Sequence, residues 1–239
     1  MKAIVLLTGD SKTFGHGHQV RMHNLALELK RRQLTTMHVV AAPEERLSLP
    51  LKAGVIMLDR RDTGFNEVAQ AEAYLKIALD NRGPARSSAD IIIDALPHLE
   101  MTATEYRLAL SHVMLPPLLT KQPPQTQHAK VTLHQTPEAA NAHADFKAIS
   151  GAFSPGEYLA AMQNAAKPAL YFGQALFEAL YAGKHVQLYP VSHYHMQLAE
   201  DIVARLSHRP DLLTALDGLG LNRVADRVQS AHKQTQEKP

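Results

Sequence analysis

Residues 3–21 read AIVLLTGDSKTFGHGHQVR, and this stretch decides the fold class. Its opening apolar run, residues 3–7, shows no polar alternation, as expected of a strand buried on both faces of a parallel sheet. Thr8, Gly9 and Asp10 end the run. A glycine turn follows, with Gly15 and Gly17 bracketing His16. A helix is expected over residues 20–32, where Val20, Leu25, Leu27 and Leu29 lie among Arg21, Glu28, Lys30 and Arg31. In open parallel sheets, ligands bind beyond the carboxyl ends of the strands, where glycines allow tight turns and helix amides attract anions. His18 stands at that opening. Imidazole can take and give a proton near neutral pH, which makes His18 the candidate base. Arg21, one helical turn later, is placed to contact an acidic ligand or to clamp the loop. The same residues also fit a plain glycine turn whose histidines cap the helix or face water. A metal site is a further alternative, since His16 and His18 have the His-x-His spacing, as do His193 and His195. In a strand such a pair shares one face, but His16 and His18 are expected in a turn, and no metal is assigned.

Outward from this unit the strand–helix alternation continues. Strands are expected over residues 37–42, 55–58 and 90–95, with helices over residues 66–80 and from Thr102 through Leu110. Such alternation is the signature of a parallel sheet with right-handed helical crossovers. Residues 116–130, PPLLTKQPPQTQHAK, lack periodicity and carry four prolines, and they read as a linker. Beyond it, residues 130–133, 147–149, 169–172 and 185–189 are short strand candidates. Helices are expected to begin near His195 and to run over residues 221–232. The expected class is therefore α/β, with two Rossmann-like domains: 1–115, a linker at 116–130, and a smaller second domain at 131–239. The final helix is a candidate to pack back against the first domain. No repeat of solenoid length is present.

Composition narrows the function. A formal charge of +2 with scattered Lys and Arg does not make a nucleic-acid groove. With no cysteine, disulfides, thiolate catalysis and cysteine-ligated metals are excluded. The apolar start is too short for a signal peptide or a membrane span, so a cytoplasmic location is expected.

A second constellation lies in PALYFGQALFEALYAGKHVQLYP, residues 168–190. A strand ends at Gly173, a helix begins at Gln174, and Gly183 closes it. Glu178, in the second turn, is placed to reach a sugar hydroxyl while the amides after Gly173 face a diphosphate. Any strand–helix–strand unit with a solvent-facing Glu178 would read the same way. His193, Tyr194, His195 and Gln197 follow the next strand and either line the same site or begin a surface helix. Asp94, at the end of DIIID, is a candidate to bond a substrate or orient a histidine, or simply to cap a helix.

Taken together, FGHGHQVRMHNLALELKRR and YFGQALFEALYAGKHVQLYPVSHYHMQLAEDI resemble two segments of the pseudaminic-acid pathway UDP-sugar hydrolases and related spore-coat polysaccharide proteins. More distantly they resemble the peptidoglycan N-acetylglucosaminyltransferase. The resemblance implies a GT-B fold, whose two Rossmann-like domains hold a nucleotide sugar, with UDP-sugar favoured and no cofactor. It matches the family's Gly-x-Gly-His-x-x-Arg loop at Gly15, Gly17, His18 and Arg21, and it gives His18 the base role. It places Glu178 on the nucleotide's ribose and matches Gln197 to the Gln that follows the next strand. The chain departs from the family where Gly173, Gln174 and Ala175 replace a Gly-Gly-Ser/Thr turn, and where Leu96 replaces an aromatic two positions after Asp94. The second domain is also shorter. The implied activity is nucleotide-sugar hydrolysis or glycosyl transfer in cell-surface glycan biosynthesis. The departures motivate the alternative of an inactive GT-B-like binding or assembly protein.

Overall fold

A computed structural model of the chain describes residues 3–9, 16–41, 53–60, 73–81, 83–95, 110–121, 131–134, 140, 143–152 and 154–237. The chain is α/β and divides into two compact units. The first comprises Met1–His98, Thr104–Met114 and Leu219–Pro239, and the second Leu99–Ala103 and Leu115–Gly218.

The first unit is built on five parallel strands: β1 (Ile4–Gly9), β2 (Thr36–Ala41), β3 (Ala53–Asp59), β4 (Ala73–Leu79) and β5 (Ile91–Ile93), in the order β2-β1-β3-β4-β5. Every residue of β1 and β3 is buried, which is why their sequences run apolar without alternation. Two helices cover one face: α1 (His16–Arg31), and the last helix of the chain, Gly220–Gln236. Met22, Leu25 and Leu29 of α1, with Leu221, Val224, Ala225 and Val228 of the last helix, form apolar stripes at helical spacing. They pack on Ile4, Leu6, Val55, Met57, Ile77 and Leu79, the alternate residues that three strands turn to that face. The last helix falls within the expected second domain, residues 131–239, and is at the same time the candidate to pack back against the first; its apolar stripe completes the core of the first unit.

Strand order matters for function. The chain leaves β1 to one side to form β2, then returns to the other side to form β3. The carboxyl ends of β1 and β3 are therefore a topological switch point, where open parallel sheets hold their ligands.

The helix expected over residues 66–80 is not formed across its second half, which is strand β4. Leu75, Ile77 and Leu79 alternate onto the core face, so pairing with β3 overrides the helical reading. Residues 66–72, and most of the helix expected from Thr102 to Leu110, lie outside the described residues.

The second unit holds three parallel strands, β6 (Val131–Leu133), β7 (Ala169–Tyr171) and β8 (Val186–Tyr189), in the order β6-β8-β7. The strand expected at residues 147–149 lies instead within helix α2 (Ala144–Ser150), which buries Phe146 and Ile149 at helical spacing. Helix α3 (Pro155–Asn164) starts from a capping box. Ser154 accepts from the Glu157 amide, Glu157 accepts from the Ser154 amide, and Pro155 fills the first turn. Helix α4 (Gln174–Tyr181) joins β7 to β8, α5 (His193–His208) follows β8, and the last helix of the chain is α6. Of the segment read as a linker, residues 122–130 lie outside the described residues. Among the described residues no helix is long and apolar enough to cross a membrane.

Candidate functional site

Helix α1 begins at His16, so the Gly-His-Gly-His run is helical from that point rather than a turn. Residues two apart on a helix do not face each other, and His16 and His18 therefore do not form a metal-binding pair. His193 and His195 open α5 in the same relation. Among the described residues no group of three or more His, Asp or Glu could hold a metal ion. Gly15 lies outside the described residues, and Gly17 sits in the first turn of α1.

Residues three apart do share a helix face, and this gives the His-x-x-Arg spacing its physical meaning. His18 and Arg21 point together at Asp59, the last residue of β3. The Nδ1–H of His18 donates to Asp59 Oδ1 at 2.6 Å. Arg21 grips the same carboxylate with a fork, Nε to Oδ2 at 2.6 Å and Nη2 to Oδ1 at 2.5 Å. Its third nitrogen, Nη1, donates to Oδ2 of Asp80 at 2.7 Å. Asp80 follows β4, and its other oxygen accepts from the Ala95 amide at 2.7 Å. Asp59 and Asp80 are fully buried and Arg21 is 3% exposed.

Burial pushes the Asp59 carboxyl up, but the charge of Arg21, then that of His18, and the hydrogen bonds from both hold it well below the ordinary carboxylate range. Burial likewise opposes the Arg21 charge, and Asp59 and then Asp80 override it, so the guanidinium stays protonated. An ionised Asp59 can only accept, so the Nδ1 of His18 carries the proton and the lone pair of the neutral ring is on Nε2. Arg21 is thus a buried clamp rather than an exposed contact for an acidic ligand: each of its three nitrogens donates to a carboxylate, and the side chain is 3% exposed.

Asp94, the sequence candidate for orienting a histidine, stands after β5 in a bidentate pair with Arg86, at 2.8 and 2.9 Å. The histidine's partner is Asp59. On the other side of β1, the fully buried Thr8 shares a 3.2 Å contact with Nε2 of His38 on β2. Arg60 and Asn81 are also fully buried at this edge, where Asn81 Nδ2 donates to the Arg60 carbonyl at 2.6 Å.

In the second unit, Gly173 precedes α4, and a side chain added there would meet open space. Gln174 starts the helix, and Glu178 is 4% exposed rather than solvent-facing. Its carboxylate is occupied from within, since Tyr158 on α3 donates to Oε2. Burial pushes the Glu178 carboxyl up, with the hydrogen bonds from Tyr158 and Gln174 opposing. Gln197 lies on the exposed face of α5. Ser192 caps that helix by accepting from the His195 amide, and the His195 ring lies 6.2 Å from Phe172 beside Gly173.

Sequence reading missed Asp59, Asp80 and Tyr158. The chain matches no family model, no curated protein and no solved structure.

Proposed function

We propose that the chain is a nucleotide-sugar enzyme of the cytoplasm, a hydrolase or glycosyltransferase of cell-surface glycan biosynthesis on a GT-B-type frame of two Rossmann-like domains. UDP-sugars are the favoured substrates. The observation that carries the reading is the His18–Asp59 pair at the switch point of the first sheet, where a base oriented by a buried carboxylate meets the ligand position of open α/β folds. In this role Nε2 of His18 takes the proton from water or from an acceptor hydroxyl. The oxygen so activated bonds to the anomeric carbon, and the bond to the nucleoside diphosphate breaks with its electron pair on the leaving phosphate. Asp59 stabilises the imidazolium and keeps the ring in the required tautomer. In the second unit, Gly173 and Gln174 at the start of α4 are the candidates for the diphosphate, with Glu178 and Gln197 for the nucleotide's sugar and its surroundings.

A second reading, a nucleotide-sugar binding or assembly protein without turnover, is favoured by one observation. Two of the side chains given to the ligand, Arg21 and Glu178, have internal partners: Asp59 and Asp80 for the first, Tyr158 for the second. Calorimetric titration with UDP-, GDP-, CDP- and TDP-sugars, followed by product analysis, tests both readings. Binding with release of a nucleoside diphosphate or free sugar supports the enzyme, provided His18→Asn keeps affinity and loses turnover by about two to four orders of magnitude. Binding without consumption supports the second reading. Absence of binding to every nucleotide sugar counts against both.

A further inference from the structure

We infer that Asp80 is a positioning residue for His18, acting through Arg21. The inference builds on the reading of His18 as a base, but its structural half needs no substrate.

Asp80 leaves β4 with a φ of +47°, a left-handed backbone that aspartate tolerates better than most side chains. From that position its two oxygens reach two elements. Oδ1 holds the Ala95 amide beyond the end of β5, and Oδ2 holds Nη1 of Arg21 on α1. The other two Arg21 nitrogens lie on Asp59, and one of them shares Oδ1 with the His18 ring, at 2.5 Å for Arg21 and 2.6 Å for His18. The place of the guanidinium therefore fixes how Asp59 presents the oxygen that orients His18. A planar fork gripped at both ends cannot rotate, and Asp80 supplies the second grip.

Charge balance leads to the same residue. Once His18 has taken a proton, the cluster holds two cations, Arg21 and the imidazolium, and two carboxylates, Asp59 and Asp80. With Asp80 neutralised, both cations would compete for Asp59 in a buried setting where each charge interaction is strong. Among the described residues, the other charged or titratable groups at this edge include Arg60 after β3, the Arg86–Asp94 pair after β5, and His38 on β2, which contacts Thr8 and feels the charge of His23.

Asp80→Asn retains an oxygen for the Ala95 amide and removes the charge that faces Arg21. Nitrogen-15 NMR of the imidazole rings, at a pH where they are neutral and with His18 assigned by loss of its signals in His18→Asn, reads the tautomer without ligand. The wild-type ring should be the Nδ1–H form, and in Asp80→Asn its two nitrogen signals should move toward each other as the tautomers mix. Unchanged His18 signals in a folded Asp80→Asn protein would overturn the inference, as would a wild-type ring in the Nε2–H form. Should circular dichroism show Asp80→Asn unfolded, Arg21→Lys takes its place, since it keeps a cation between the carboxylates but cannot fork to both. The same movement is expected there, and an unmoved ring refutes the inference. If a nucleotide sugar is consumed, Asp80→Asn should lower kcat at least tenfold with KM little changed. If none is consumed, the enzyme reading fails and the NMR result still decides the role of Asp80.

Discussion

The Nδ1 atom of His18 stands 2.6 Å from Oδ1 of Asp59, which ends the strand next to the one His18 follows. Asp59→Asn tests what this contact contributes. The amide would present donors to a fork of donors on Arg21, and the guanidinium would lose the partner it grips with two nitrogens. Turnover should fall by about two to four orders of magnitude, since the ring loses its tautomer and its counter-charge together. Stability should fall by roughly 3–5 kcal/mol, the usual cost of leaving a buried charge short of its partner. Urea unfolding and product assays check the two halves, and a variant that keeps wild-type values in both would exclude the pair from the site.

Asp59 should also contribute to the acid sensitivity of the fold. Its folded carboxyl is held below the ordinary range by Arg21 and His18, against the effect of burial. A depressed carboxyl contributes stability that is fully present above its unfolded pKa and lost as pH falls toward the folded one. The wild-type melting temperature should therefore drop on acidification below about pH 4, the unfolded value for aspartate. In Asp59→Asn this part of the acid dependence should be missing, so the two melting curves should converge as pH is lowered. Parallel curves would mean that other carboxylates govern acid unfolding.

The sheet was legible from sequence because parallel strands buried on both faces announce themselves as unbroken apolar runs, as at β1 and β3. Strand β4 was misread because Tyr74 and Lys76 interrupt its apolar residues, and only pairing with β3 reveals the alternation. Residues 147–149 failed in the opposite direction: three residues carry too little periodicity to separate a strand from a helix that buries Phe146 and Ile149. His18 and Arg21 were found because their spacing is local. Their partners were not, since Asp59 and Asp80 lie 38 and 59 residues from Arg21. A signal for them does exist. Strand β3 ends in Asp59, and Asp80 and Asp94 directly follow β4 and β5, and a charge closing a parallel strand stands at the ligand edge of the sheet. Tyr158 gave no such signal, because its hydrogen bond to Glu178, 20 residues away in sequence, joins two helices that only packing brings together.

Helix α6 depends on a close approach that only glycine permits. A Cβ on Gly220 would overlap the Val113 carbonyl. Alanine in a helix otherwise gains up to about 1 kcal/mol over glycine, so the sign of the effect is diagnostic. Gly220→Ala should lose about 1–3 kcal/mol through overpacking, read as a lower urea midpoint at unchanged slope. A gain in stability would show that α6 does not seat against this carbonyl.

Glu178 should behave as the opposite of Asp59. Burial raises its carboxyl, and the hydrogen bonds from Tyr158 and Gln174 only partly offset this. A raised carboxyl contributes stability that is complete below its unfolded pKa and lost as pH rises through the folded one, because the folded state then carries a buried charge that the unfolded chain exposes to water. Glu178→Gln removes that charge and keeps an oxygen for the Tyr158 hydroxyl. It should melt above wild type at neutral pH, and the difference should vanish as pH is lowered below about 4.3, the unfolded value for glutamate. The Tyr158 contact has its own test in Tyr158→Phe, which leaves Glu178 buried without that donor and should lower the neutral-pH melting temperature, whereas Tyr158→Phe in the Glu178→Gln background should cost less. If nucleotide-sugar affinity also rises in Tyr158→Phe, the tyrosine hydroxyl occupies the place of a ligand hydroxyl, and an unchanged or weaker affinity would assign the contact to folding alone.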